Sequence, residues 1–277
     1  MFGQISWKPS VLASSFRVIQ CLLEGRSLRD EPLALLFEPL VDRFRRTDIP
    51  PNAFEYLVPL SVQISNTNQL AGLVITELEN STRISFRHQH LEQLIRECEQ
   101  AMIDLHPNLS EELRVRVRPI REQWEARGPG LLAAVQRLTE CKLDDLCPDV
   151  ILTHPILGGG GLSFPSQNAL CLEAVLANRY FELPEILRIG WLYSQLGFES
   201  DLEPTVLRLG LLPIVLAAGE EVEACRVDLR TIQLALKNWH IESPRNTDAA
   251  TILLNWWDQT DHGTNWANSL LQLEQMF

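Results

Sequence analysis

Apolar residues recur every three or four positions along most of the chain, a spacing that predicts amphipathic helices. The clearest examples lie at 10–24 and 88–106, where the apolar residues fall on one helical face. A third segment, 182–197, is apolar around almost its whole circumference and therefore predicts a buried helix. Pro184 lies in the first turn of that helix, and Gly197 marks its end. Most of the chain is thus predicted to be helical.

Patterns typical of strands are fewer. At 70–88, β-branched residues followed by a turn-like ENST string predict a hairpin. At 113–120, apolar residues alternate with arginines, which predicts a strand with one basic face, although the SEEL string before it also favours a helix. The segment 149–157 predicts a strand, and 166–177 fits either a strand or a helix. Together these patterns predict an α+β fold that is mostly helical with a small mixed sheet.

Two interruptions of the helical pattern bear on domain organisation. The string HPNLS interrupts it near position 107, so we divide the chain into a mainly helical N-terminal region, 1–107, and an α+β C-terminal region, 108–277. One continuous domain is the alternative. Within 121–140, Gly128–Pro129–Gly130 predicts a break between two helices.

Composition and charge exclude several classes of function. The 277 residues are 45% hydrophobic, and the formal net charge is −12 at pH 7, which repels a polyphosphate backbone and argues against nucleic-acid binding. No run of 18 apolar residues occurs, so no membrane span is predicted. The six cysteines are scattered among apolar residues without a CxxC string, which favours free thiols and a cytoplasmic location.

A run of glycines raises the first question of chemistry: it consists of Gly158, Gly159, Gly160 and Gly161. A phosphate-binding P-loop is excluded because no lysine follows until Lys237, and a dinucleotide fingerprint fails because its third glycine would fall at Ser163 or Phe164. A lipase-type oxyanion loop needs an adjacent histidine and a GxSxG string, and the chain has neither. The run therefore predicts a flexible turn, or a site where backbone N–H groups bind an anion.

The densest basic patch consists of Arg114, Arg116, Arg118 and Arg121. On a strand three of these arginines, Arg114, Arg116 and Arg118, would share one face and bind an anion or an acidic partner, and a solvated face is the alternative. The histidines are dispersed, and only His88 and His90 lie close together in the sequence. No metal site and no cofactor are predicted from the spacing of these residue types.

The buried helix carries the string Pro184-Glu185-Ile186-Leu187-Arg188. Zincin metallopeptidases have HExxH on such a helix, where two histidines bind zinc and the glutamate activates water. In their order of predicted elements, residues 110–200 resemble a degenerate zincin core. Glu185 matches the catalytic glutamate, but Pro184 and Arg188 stand where both zinc ligands would be. The resemblance therefore implies a zincin-like fold without zinc, in which Glu185 has no metal-bound water to deprotonate.

Two hypotheses of function follow. The strings REQWEARGPGLL and THPILGGGG resemble strings in uncharacterised bacterial proteins that have no assigned activity. This resemblance therefore indicates no function. Four tryptophans crowd the C-terminal part of the chain: Trp239, Trp256, Trp257 and Trp266. The first hypothesis is a non-enzymatic interaction or structural protein that binds a protein partner through this Trp-rich region. The second is an inactive metallopeptidase-derived domain, or an enzyme in which Glu185, His154 and the arginine patch converge on one cleft.

Overall fold

A small mixed sheet lies at the centre of the fold. The computed structural model describes residues 5–47, 49–82, 88–176, 179–198, 203–243, 248–260 and 266–277. The strands of the described sheet are β1 (Ser6–Pro9), β2 (Asp149–Thr153), β3 (Gly161–Phe164) and β4 (Ala169–Glu173), in the spatial order β1-β2-β4-β3. β1, β2 and β4 run parallel, and β3 pairs antiparallel with β4. The strand predicted at 149–157 is confirmed over β2, and β4 shows that 166–177 contains a strand.

Helices make up most of the remaining described residues. They are α1 (Val11–Leu23), α2 (Glu31–Arg45), α3 (Phe54–Leu60), α4 (Thr67–Thr82), α5 (His88–Leu105), α6 (Leu109–Thr139), α7 (Glu185–Ser194), α8 (Pro204–Glu221), α9 (Leu229–Asn238), α10 (Ala249–Gln259) and α11 (Trp266–Met276). The predicted mostly helical α+β class is confirmed. Across the described residues, none of these helices combines the length and apolarity needed to cross a membrane.

The hairpin predicted at 70–88 is wrong wherever the structure describes it, because α4 covers the segment through Thr82. Val74 and Leu78 are fully buried and lie four positions apart, so they share a helical face. The β-branched residues that suggested a strand therefore pack from one side of a helix. The second strand of the predicted hairpin falls largely on 83–87, which lies outside the described residues.

The strand predicted at 113–120 is also wrong, and the helical alternative is correct, because the segment belongs to α6. Val115 is 52% exposed whereas Val117 is 8% exposed, so the alternation of valine and arginine does not reflect two faces of a strand. The break predicted at Gly128–Pro129–Gly130 is wrong as well, since α6 continues through it. A Cβ atom at Gly128 would lie 2.5 Å from the indole of Trp124, so this glycine makes room for a ring.

The sheet separates two hydrophobic cores. Neighbouring residues of a strand point to opposite faces, so both faces of β2 are buried by different sets of helices. Ile151 belongs to the core formed with α1–α5, which we call the N-terminal core. Val150 and Leu152 belong to the core formed with α6–α11, the C-terminal core. The central strands are therefore apolar at successive positions, as expected for strands covered on both sides.

Two elements connect the regions divided at position 107. β1 pairs with β2, so the beginning of the chain belongs to the same sheet as residues 149–153. Leu109 and Leu113, in the first turns of α6, pack in the N-terminal core, whereas Ile120 and Leu131 pack in the C-terminal core. The division into 1–107 and 108–277 stays a prediction.

Candidate functional site

The glycine run encloses a buried carboxylate. Glu173, the last residue of β4, is 1% exposed. Its oxygens accept hydrogen bonds from the backbone N–H groups of Leu157 at 3.0 and 3.1 Å, Gly158 at 2.7 Å and Gly159 at 2.8 Å. Such an arrangement of amides suits an anion. In this protein the anion is a side chain of the protein itself, so these N–H groups are not free for a ligand.

A buried arginine completes this network. The guanidinium of Arg188, which is fully buried, donates to the carbonyl of Gly160 at 2.8 Å and to the carbonyl of Glu173 at 2.7 Å. It also lies 2.5 Å from the carboxylate of Glu185, one helical turn away. Burial raises the pKa of Glu185, and the charge of Arg188 opposes that rise. Arg179 donates to the carbonyl of Gly158 from the outside.

These contacts change how the glycine run is interpreted. Carbonyl oxygens of Gly158 and Gly160 accept bonds from arginines, and amides of Gly158 and Gly159 bind Glu173. The segment connects β2 to β3, and side chains of the protein hold its backbone groups. Its flexibility stays a prediction. The predicted ability of its amides to hold an anion is present, but Glu173 uses it.

A cavity of about 230 Å³ lies beside this loop, between α1 and the helices of the C-terminal core. We call it the arginine cavity. It is lined by Arg17, Gln20, Glu24, Arg26, Leu157, Gly160, Gly161, Leu162, Trp191, Gln195, Thr205, Arg208, Trp239, His240, Ile241 and Glu242. Of the predicted ligand-binding glycines, Gly160 and Gly161 line this cavity and Gly158 and Gly159 do not.

Two arginines of the cavity form no ion pair within 4.0 Å among the described residues, although acids act on them from farther away: Glu173 and Glu24 on Arg17, and Glu203 and Glu242 on Arg208. Arg17 is 4% exposed, and its guanidinium donates to the side-chain oxygen of Gln20 at 2.5 Å. Arg208 is half-buried, and burial lowers its pKa. Within the described part of the chain, neither guanidinium lies within 4.0 Å of a carboxylate. Arginine stays protonated in proteins, so both carry a positive charge.

The acids of the cavity are already paired. Arg26 lies 2.8 Å from the carboxylate of Glu24 and 2.6 Å from that of Glu242. The charge of Arg26 cancels that of one glutamate, so these three residues together carry one net negative charge. The positive charge available to a ligand therefore comes from Arg17 and Arg208.

Two tryptophans and a histidine also line the arginine cavity and give it both flat apolar surface and a polar ring atom. The rings of Trp191 and Trp239 lie 5.6 Å apart and are inclined by 31°. The indole N–H of Trp191 donates to the carbonyl of Arg208 at 2.8 Å, which fixes the start of α8 against α7. His240 has a positive φ of 55°, and its buried Nε2 has no hydrogen-bond partner among the described atoms. Burial lowers the pKa of His240, so its ring is neutral at pH 7.

The other predicted site residues lie apart from the cavity. Arg114 pairs with Glu111 at 3.6 Å on the exposed side of α6, and Arg118 is exposed. Arg116 instead donates to the carbonyl of Ala174 at 3.3 Å. A helix turns by 100° per residue, so the three arginines do not share the face that a strand would have given them. Their role as ligands stays a prediction.

Glu185 and His154 belong to different clusters. Glu185 is paired with Arg188 and does not line the arginine cavity. The ring of His154 stacks on that of His106, with ring centroids 4.5 Å apart. Convergence of Glu185, His154 and the arginine patch on one cleft stays a prediction that these contacts do not support.

The tryptophans of the C-terminal part are mainly core residues. Trp239, Trp256 and Trp266 are 3%, 2% and 8% exposed, and the last two meet edge to face at 5.3 Å. Trp257 is half-buried and packs against the same core. These side chains therefore present no broad exposed aromatic patch. A protein partner at this region stays a prediction.

Sequence patterns missed Glu173, Arg17 and Arg208 as site residues. Glu173 and Arg17 were nonetheless detectable, because each is a charged residue inside an otherwise apolar strand or helix face. A charged residue at a buried position needs a partner or a ligand.

No protein-family model matches this chain, and searches of curated proteins and of solved structures find no similar protein.

Proposed function

We propose that this protein binds a small anionic ligand in the arginine cavity. The observation that carries the proposal is the pair Arg17 and Arg208, two charged side chains that face one cavity without a carboxylate within 4.0 Å among the described residues. A buried charge is costly unless it is compensated, and a carboxylate or phosphate group compensates arginine through paired hydrogen bonds. The ligand would supply a direct charged partner for both guanidinium groups.

The walls restrict the ligand further. The volume of about 230 Å³ is below the range of about 300–1,000 Å³ that is typical of sites for drug-sized molecules, so the ligand is small. Trp191 and Trp239 offer flat apolar surface, and Nε2 of His240 offers one unused polar atom. A planar or ring-containing carboxylate or phosphate ester fits these three features best.

We assign ligand binding to the cavity. Glu24 and Glu242 are both held by Arg26, so neither is free to act as a general base. The lining side chains supply positive charge, apolar surface and hydrogen-bond donors, which together recognise a ligand. This assignment develops the non-enzymatic hypothesis, with a small molecule in place of a protein partner.

The resemblance to a degenerate zincin core is a second proposal. It is supported by the position of Glu185 at the start of a buried helix that follows strands of a sheet. In this proposal Arg188 replaces the second zinc ligand and pairs with the glutamate. The carboxylate would then hold a structural ion pair and would not activate water. The basic strand that formed part of the resemblance is a segment of α6.

Calorimetric titration of the full chain with phenyl phosphate, citrate and inorganic phosphate tests the binding proposal. We expect the wild type to bind phenyl phosphate and not benzylammonium, which has a similar ring and the opposite charge. We expect Arg208→Gln to weaken phenyl phosphate binding by about 10- to 100-fold, because one charge-assisted interaction contributes about 1.5–3 kcal/mol. Arg208→Lys keeps the charge but loses the planar pair of donors. Its affinity for phenyl phosphate should therefore lie between those of the wild type and Arg208→Gln.

Arg121→Gln is the matched control. Arg121 is an exposed arginine of α6 that pairs with Glu125 at 2.6 Å and does not line the cavity. This variant loses the same charge and should leave the affinity within about twofold, because exposed charges are screened by salt. The proposal fails if none of the three anions binds, or if Arg121→Gln weakens binding as much as Arg208→Gln.

A further inference from the structure

Three segments that are distant in the sequence meet beside the glycine-run loop and bring two histidines to one aspartate. Asp30 precedes α2, His106 follows α5, and His154 follows β2. Their side chains are 29%, 22% and 12% exposed, so the cluster is partly buried and has an open side. None of the three residues lines the arginine cavity.

The polar atoms of this cluster converge without satisfying one another. Nε2 of His106 lies 3.6 Å from Oδ2 of Asp30, and Nε2 of His154 lies 4.0 Å from the same oxygen. One ligand atom from each residue can be chosen so that all three lie within 4.8 Å of one another. Nε2 of His106 is buried and has no hydrogen-bond partner among the described atoms. Buried polar atoms without partners are rare in folded proteins, so this one calls for an explanation.

We propose that Asp30, His106 and His154 form a binding site for a divalent first-row transition metal ion, Zn²⁺ foremost. Two imidazole nitrogens and one carboxylate oxygen are ligands that Zn²⁺ accepts, with bonds of about 2.0–2.2 Å. Two such bonds in a tetrahedral arrangement separate their donor atoms by roughly 3.3–3.6 Å. The 3.6 Å between His106 and Asp30 lies within this range, and the 4.0 Å between His154 and Asp30 requires a small inward shift of the ring. Three protein ligands leave a fourth position for water or a small anion on the open side.

The backbone around the cluster holds the ligands in place. Oδ1 of Asp30 accepts the N–H of Leu33 at 3.1 Å, which caps α2 and turns Oδ2 toward the two rings. The backbone N–H of His154 donates to the hydroxyl of Ser14 at 3.0 Å, which ties the segment after β2 to α1. Arg116 is the nearby cation, and its guanidinium is held at the carbonyl of Ala174.

Zinc titration of the full chain, freed of metal by dialysis against a chelator, tests the site. Cys147 is exposed, so all variants carry Cys147→Ser to remove a thiol that binds zinc adventitiously. We expect this parent to bind one equivalent of Zn²⁺ and to unfold at a higher temperature when zinc is present. Asp30→Asn should weaken zinc binding by at least about tenfold, since even outer-shell partners contribute about 10- to 100-fold. Asparagine caps a helix as well as aspartate does, so α2 should stay capped.

His106→Gln and His154→Gln should abolish the zinc-dependent rise in unfolding temperature, and His90→Gln is their matched control. His90 lies near the opposite end of α5 from His106 and is exposed. Cobalt added in place of zinc should give a visible spectrum without thiolate charge-transfer absorption. The proposal is overturned if the parent binds no zinc in the micromolar range, if Asp30→Asn binds zinc as the parent does, or if His90→Gln loses binding like His106→Gln.

Discussion

Replacing Glu173 with glutamine should lower the free energy of unfolding by about 3–5 kcal/mol, the cost typical of breaking a buried charged network. Three backbone N–H groups, from Leu157, Gly158 and Gly159, point at its two oxygens. Glutamine has one acceptor oxygen in place of two. Its side-chain NH2 group would lie against the backbone N–H groups and could not accept a hydrogen bond from them. The substitution also removes the negative charge that lies among buried arginines, Arg17 included. Urea unfolding followed by tryptophan fluorescence measures the loss.

Glu182→Gln is the appropriate comparison for that measurement. Glu182 is a partly exposed acid, with a side chain 43% exposed, whose carboxylate lies 2.7 Å from the exposed Arg230. Exposed ion pairs contribute about 0–1 kcal/mol, so this variant should unfold almost as the wild type does. A loss below about 1 kcal/mol for Glu173→Gln would contradict the central role that we assign to the carboxylate, because one unsatisfied buried donor alone costs about 1–3 kcal/mol.

Replacing Gly159 with alanine should have an effect of similar size for a different reason. The φ angle of Gly159 is 150°, which residues with a side chain rarely adopt, and a Cβ atom there would lie 2.3 Å from the carbonyl oxygen of Asn238. Backbone strain costs about 1–3 kcal/mol, and forcing an atom into a packed site costs about 1–3 kcal/mol more. We therefore expect a loss of about 2–6 kcal/mol in urea unfolding.

Gly25→Ala separates these two contributions. Gly25 has a φ of 74°, but an added Cβ atom would meet nothing within 4 Å. Alanine at this position carries the strain of a left-handed backbone without any overlap, so the loss should be about 1–2 kcal/mol. Equal losses for Gly25→Ala and Gly159→Ala would show that the contact with Asn238 relaxes freely and that the loop is looser than its packing indicates.

Much of the fold follows from local patterns, and the errors have a common origin. The helices at α1, α5 and α7 were predictable because their apolar residues keep helical spacing over several turns. The mistaken strands at 70–88 and 113–120 came from residue type, since β-branched residues and alternating arginines also occur in helices whose packing fixes them. In α6 the ring of Trp124 lies against Gly128, one helical turn later, so this glycine makes room for a side chain and does not break the helix.

The candidate sites depend on contacts between distant residues, which explains why sequence reasoning missed them. Arg17 and Arg208 face the same cavity only because the fold places α1 and α8 beside the glycine-run loop. His106 and His154 meet through the packing of α5 against the other helices and the end of β2, whereas the close pair His88 and His90 lies at the start of α5. The proposed metal site thus departs from the expectation that no metal is bound. The spacing of histidines along the chain reveals metal ligands only when they lie on the same helix or strand. The three proposed ligands lie at the ends of three different elements.

The pairing of β1 with β2 also has a consequence for synthesis on the ribosome. Lys8 and Asp149 are 141 positions apart, so at about 5–20 residues per second the first strand emerges roughly 7–30 s before its partner. During that interval α1–α5 emerge without Ile151 and Cys171, which complete their core. The nascent first half therefore carries exposed apolar surface until the second half arrives.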